Sequence, residues 1–206
     1  AIDYAINNQG IVDRIMRGFG TVAGQASPAG YLGYSPDYQP RYDLERAKEL
    51  MAEAGYADGF SVTMMAPNNR YVNDDKIAQA VASMLSKINI TVDLQTMPKA
   101  QYWPTFDERA ADMMMIGWHS DTEDSANFHQ FLTACPNPDN GNGQYNSGFF
   151  CNENADKLMD AANAETDVAK RTEALQKLEG ILYDEAAFIP LHWQNLAWGA
   201  KDGMNA

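Results

Sequence analysis

Between residues 60 and 94 the hydrophobic period changes twice, and this constrains the fold more than any other stretch. Phe60, Val62 and Met64 alternate with Ser61 and Thr63, the two-residue period of a strand with one wet face. Behind Asn73, a residue type suited to capping a helix, Ile77, Val81, Met84, Leu85 and Ile88 recur at helical spacing. Ile90, Val92 and Leu94 then alternate again. Strand, helix and strand in this order form a βαβ unit, with a right-handed crossover expected.

The flanks fill in an α/β layer structure. Residues 1–18 read as helical, with Asn7 or Asn8 capping a second segment and Gly10 weakening continuity. Residues 18–41, rich in Gly, Pro, Tyr and Ser, read as a long irregular connection. Asp43 caps a helix striped with Leu44, Ala47, Leu50, Met51 and Ala54, and Gly55 ends it. A short helix is expected within 98–109, presenting Tyr102, Trp103 and Phe106, although Pro104 interrupts the pattern. A strand at 113–118, a helix at 125–134, helices at 153–163 and 168–184, and a last strand at 188–198 complete the order.

Charge narrows the function classes. There are 28 acids against 15 bases, a formal charge of -13, which repels nucleic acid and anionic lipid. No apolar run approaches the ~20 residues a membrane helix needs. At 206 residues the chain suits one domain, or at most two small ones, and a domain of this size buries roughly 70% of its unfolded surface without needing a metal or staple to fold. Cys135 and Cys151 flank a turn-rich segment, so they read as a disulfide formed in an oxidising compartment. Closing that loop stabilises the fold by ~3 kcal/mol. The alternative is two free thiols in a cytosolic protein.

The loop at 117–128 concentrates the polar chemistry. It follows the apolar run Met113-Met114-Met115-Ile116 and carries Trp118, His119, Asp121, Glu123 and Asp124. Ligands of open α/β sheets gather at the carboxyl ends of strands, where this loop is expected.

Four segments then resemble the oligopeptide- and dipeptide-binding family of ABC-transporter solute-binding proteins. They are Ala1-Ile2-Asp3-Tyr4-Ala5-Ile6-Asn7 with Ile11-Val12; the run from Tyr42 to Tyr56, which reads YDxxxAKxLxxEAGY; the Gly117-Trp118-x-x-Asp121 loop; and Tyr183 to Leu191. They fall in family order across nearly the whole chain. The resemblance implies a periplasmic-binding-protein-like (type II) lobe, a mixed β-sheet flanked by helices, with residues 1–206 as a single domain. It implies the second lobe of a longer two-lobed protein, an excised piece whose first lobe lies elsewhere. It further implies a periplasmic or extracellular, secreted or lipid-anchored protein without enzyme activity or cofactor. Such a protein captures peptides between its lobes and delivers them to membrane permease subunits.

The same resemblance assigns candidate site residues. Asp121 matches the aspartate that pairs with a peptide's ammonium group, and Trp118 beside it supplies a flat wall. Arg70 aligns with an arginine that holds the peptide carboxylate, and His119 lies in the same loop. Each has a plainer reading: a solvated carboxylate, a packed indole, or an arginine with a structural role. Other family members take nickel complexes, opines or sugars. A hydrolase using His119, Ser120 and Asp121 is disfavoured because triad members converge from separate elements. A structural domain docking to permease subunits is a third possibility. Asp121, Glu123, Asp124 and His129 lack the spacing of a calcium loop or a helical His pair, leaving a metal site unsupported. Tyr102, Trp103, His192 and Trp193 fit packing better than cleft lining.

Overall fold

The computed structural model describes residues 1–197 and Lys201. The helix expected over 1–18 is divided. α1 (Ile2–Ala5) stops at Ile6, whose extended backbone (φ -91°, ψ 118°) breaks the ladder. The Asn7 carboxamide accepts the Gly10 N–H and starts α2 (Asn8–Gly10), which runs into a π-helical turn, Ile11–Ile15. Asn7 is therefore the cap, and the interruption precedes Gly10. The stretch read as irregular contains one strand, β1 (Gly20–Val22). Three residues are too few to show a period, and the partner lies far along the chain.

α3 (Leu44–Glu53) forms as expected: the Asp43 carboxylate accepts the Arg46 N–H, and Gly55, at φ 82°, leads the chain away. The βαβ unit consists of β2 (Phe60–Pro67), α4 (Asp74–Leu85) with a 3₁₀ turn at Ser86–Ile88, and β3 (Ile90–Met97). Asn73 occupies the cap position of α4 but its side chain caps nothing; it donates to the Ile15 carbonyl at 3.0 Å. Asp74 takes over, its carboxylate accepting N–H groups from Arg70 (2.8 Å), Tyr71 (3.0 Å) and Asp75 (2.9 Å).

α5 (Lys99–Asp107) buries Tyr102 and Phe106. β4 is limited to Met113–Met114, shorter than the 113–118 expected. Beyond it, side-chain hydroxyls take the backbone groups that a ladder needs: Tyr102 donates to the Met115 carbonyl at 2.6 Å, and Tyr71 engages Gly117. α6 (Ser125–Leu132), α7 (Glu153–Ala164) and α8 (Val168–Asp184) follow, capped by Asp124, Asn152 and Asp167. Among the described residues β5 (His192–Gln194) is the only paired part of the final strand. Pro190 has no N–H, and the carbonyls of Pro190 and Leu191 accept from the buried Asn8 side chain at 2.7 and 2.9 Å. The expected end of that strand at Trp198 lies outside the described residues.

Parallel and antiparallel pairing both occur, in separate sheets. β3-β2-β4 is parallel throughout, with Phe60 opposite Ile90, Pro67 opposite Met97 and Met64 opposite Met113. β1 and β5 are antiparallel, with Thr21 opposite Trp193. One core lies between α1, α3, α4 and the three-stranded sheet, built on Ile6, Met51, Met64, Ile77, Val81, Leu85 and Ile90. A second core joins α6, α7 and α8 through Met159, Leu175, Leu178 and Leu182. Each of these leucines contributes roughly 2 kcal/mol by leaving water. Among the described residues no helix is long and apolar enough to cross a membrane.

Candidate functional site

The parallel sheet places three chain exits side by side at its carboxyl edge: 68–73 after β2, 98–99 after β3, and 115–124 after β4. The first two are tied by Asn69, whose carboxamide accepts the Lys99 N–H at 2.7 Å. The first and third are tied by Tyr71. Its hydroxyl accepts the Gly117 N–H at 2.8 Å and donates to the Gly117 carbonyl at 3.3 Å. A side chain at Gly117 is excluded sterically, since its Cβ would lie 2.8 Å from the Tyr71 ring. Burial raises the Tyr71 phenol pKa, so it stays protonated and able to donate.

This junction carries the predicted residues. Arg70 is exposed, its guanidinium 4.9 Å from the Tyr71 ring centre. Trp118 follows Gly117 and is half-buried. Its indole N–H donates to the Asn127 carboxamide at 2.8 Å, and its ring lies 5.1 Å from Phe131 and 5.7 Å from Tyr145. His119 and Asp121 are exposed, and among the described residues neither side chain has a hydrogen-bond or ion-pair partner. Arg70, Trp118, His119 and Asp121 thus belong to adjoining exits of one sheet edge, with Tyr71 between Arg70 and the others.

The acidic loop divides by burial. Ser120 and Asp124 face inward: the Ser120 hydroxyl donates to the Asp124 carbonyl at 2.9 Å and accepts its N–H at 3.2 Å. The Asp124 carboxylate caps α6 through Asn127 N–H (3.1 Å) and pairs with Arg171 at 2.5 Å. Glu123 is exposed at φ 53°, and its carbonyl accepts the Leu32 N–H at 3.0 Å. His129 is fully buried, bonded to Thr133 at 2.7 Å and Asp156 at 2.9 Å. Burial lowers its pKa, partly opposed by Asp156. Among the described residues no three His, Cys, Asp or Glu side chains converge to hold a metal. Ser120 and His119 make no hydrogen bond with each other.

Cys135 and Cys151 are joined in a disulfide. The segment between them returns Tyr145 to Trp118, anchored by the Tyr145 N–H to the Phe131 carbonyl at 2.9 Å. Asn146, fully buried, donates to the carbonyls of Ala134 and Phe150. Tyr71, Phe131 and Tyr145 were not marked by the sequence pattern. The Asn-Asn-Arg-Tyr turn after β2 was the one available signal for Tyr71. Tyr102 and Trp193 pack as expected: Tyr102 is buried, and the Trp193 indole donates to the Ala26 carbonyl at 3.1 Å. Burial lowers the His192 pKa, and its Nδ1 has no partner among the described residues.

Residues 1–140 match the family model described as bacterial extracellular solute-binding proteins, family 5 Middle. The chain belongs to this family. Across 93% of its length it is 32% identical to di/tripeptide-binding protein 1 of Pseudomonas aeruginosa and 29% identical to the dipeptide-binding protein of Escherichia coli. The solved periplasmic binding protein DppA of Helicobacter pylori, in complex with the peptide STSA, superposes with a TM-score of 0.83 at 26% identity. That match covers 94% of this chain and 37% of the solved one. The chain spans 36% of the length of both curated relatives. Family 5 membership accounts for the α/β lobe, and the matched relatives are binding proteins by name.

Proposed function

We propose that this chain is the second lobe of a two-lobed receptor that captures di- and oligopeptides outside the cytoplasm for an ABC importer. The first lobe closes the other side of the cleft, and permease subunits receive the peptide. The observation that carries this is the Tyr71–Gly117 junction, which sets an arginine and an aspartate, each without an ion-pair partner among the described residues, on adjoining loops at one sheet edge. A zwitterionic peptide needs one partner of each sign with apolar room between. Asp121 pairs with the ammonium group, Arg70 with the carboxylate, and Trp118 forms a wall with His119 at its rim. The names of the relatives, which bind di- and tripeptides, support the same ligand class.

Nothing in this reading transforms the ligand; closure of the cleft supplies affinity. The test is calorimetric titration of the full-length receptor with a dipeptide and tripeptide set. Saturable binding that Asp121→Ala weakens at least about a hundredfold supports the assignment. Unchanged affinity in that variant, or release of hydrolysed product, overturns it.

A further inference from the structure

Among the described residues the Asp121 side chain has no hydrogen bond or ion pair, so its position is set by the turn that carries it. That turn, Ser120–Asp124, is gripped on two sides, and both grips lead to α8. On one side Arg171 pairs with the buried Asp124 carboxylate. On the other, Leu32 pairs with the turn like a strand, its N–H donating to the Glu123 carbonyl at 3.0 Å and its carbonyl accepting the Ser125 N–H at 3.1 Å.

Leu32 belongs to a largely irregular arm, residues 26–35, which packs Leu32 against the apolar cluster of α8 and is also held to that helix by polar anchors. Glu179 accepts the N–H groups of Ala26 (3.2 Å) and Ser27 (3.1 Å), and the Gln176 side chain donates to the Tyr34 carbonyl at 2.9 Å. The Ser27 hydroxyl reaches the Leu32 carbonyl at 3.4 Å. Contact with α6 is close: a Cβ on Gly33 would lie 2.1 Å from the Ser125 hydroxyl. A shift of the arm is therefore passed directly to residues 123–125.

Glu179 is 1% exposed and pairs with no cation among the described residues. A buried unpaired carboxylate is an expensive way to hold two amides when packing alone is the requirement. We propose that Glu179 is a positioning residue for ammonium capture, acting through the 26–33 arm to hold the turn that presents Asp121. This rests on the assignment of Asp121 above.

Burial raises the Glu179 pKa to about 7, with the two backbone N–H bonds and the Ser27 hydroxyl opposing. The groups around it are Tyr38 from the same connection, with Asp3 of α1 and Tyr183 of α8 across a small cavity. Arg41 lies nearby but is turned to Asp3 at 3.9 Å and to the Tyr183 carbonyl. Protonation of Glu179 removes one acceptor and releases one of the two amides. Ligand affinity then depends on pH through a group that does not touch ligand.

Two measurements on the full-length receptor test this. The first needs no ligand. Hydrogen exchange at the Leu32 and Ser125 amides is expected to quicken at least about tenfold in Glu179→Gln, with β2 and β3 unchanged. Asp121→Ala leaves those amides as they are. The second compares a dipeptide found to bind in the titration above. The ratio of native to Glu179→Gln affinity, in which titration of the peptide's own amino group cancels, is expected to fall about threefold from about pH 8 to about pH 6. If Glu179→Gln does not fold, Glu179→Asp, which withdraws the carboxylate by one methylene, serves the exchange measurement, and Glu179→Ala the pH comparison. Unchanged exchange at Leu32 and Ser125, or a pH profile shared by native and variant, overturns the proposal. Normal binding by Asp121→Ala overturns the ligand assignment instead, while the exchange result stands on its own.

Discussion

The Tyr71 hydroxyl holds both backbone groups of Gly117, accepting its N–H at 2.8 Å and donating to its carbonyl at 3.3 Å. The loop after β2 and the loop after β4 are therefore fixed to one another where neither has a strand to lean on. Tyr71→Phe keeps the ring under Arg70 and removes only this clasp. It is expected to lower stability by about 1 kcal/mol and peptide affinity about tenfold. Thermal melting and calorimetry read the two effects separately, and unaltered affinity would show that the clasp does not organise the site.

The Arg171–Asp124 pair is a second support. The two side chains are 19% and 4% exposed, so removing the cation leaves a buried charge. Arg171→Met is expected to cost about 3 kcal/mol in urea unfolding. Adding Asp124→Ser, which retains a capping hydroxyl, should recover part of that loss. A double variant no more stable than the single one contradicts this account.

Breaking the Cys135–Cys151 bridge opens a loop with a sequence separation of 16. Reduction, or paired Cys→Ser replacement, is expected to cost about 3 kcal/mol by the loop-closure estimate. Because Tyr145 lies inside this loop and against Trp118, the emission of Trp118 should shift to the red. Subtracting the spectrum of a Trp118→Phe protein isolates that signal. An unchanged difference spectrum would mean that Tyr145 stays in place without the bridge.

Two buried groups give opposite pH dependences. His129 has its pKa lowered in the fold, so its contribution is complete above the unfolded value of 6.5 and is lost as pH falls toward the folded value. Glu179, raised from 4.5 to about 7, contributes fully below 4.5 and loses that contribution as pH rises through 7. Native stability should therefore carry a penalty of about 3 kcal/mol at high pH that Glu179→Gln lacks. Denaturant unfolding at several pH values measures it; parallel stability curves for the two proteins refute it.

The elements with a strong internal period were legible before the structure. The βαβ unit, α3, α7 and α8 lie where their apolar spacing and the caps Asp43 and Asp167 indicate. What escaped reading depends on side chains that intervene from a distance. Asn8 takes the carbonyls before β5, Tyr102 and Tyr71 bind the backbone just beyond β4, and Asp74 rather than Asn73 accepts backbone N–H groups around the start of α4. The site behaved likewise. The Gly-Trp-x-x-Asp loop could be located by its family pattern, whereas Tyr71 and Tyr145 reach it only through the fold. Within that loop Asp124 is taken up by the α6 cap and an ion pair, whereas among the described residues the Asp121 side chain has neither a hydrogen bond nor an ion pair.

The pairing of β1 with β5 has a consequence for the order in which the molecule is made. Gly20–Val22 is translated before the βαβ unit, but His192–Gln194 long after that unit is complete. Asn8 waits as well, since two of its carbonyl partners, at Pro190 and Leu191, lie 182 and 183 positions downstream. Contacts of such separation close late, because the entropy of the intervening chain is spent before they return anything. Until β5 is made, β1 therefore lacks its pairing partner and the Asn8 side chain two of its three carbonyl acceptors.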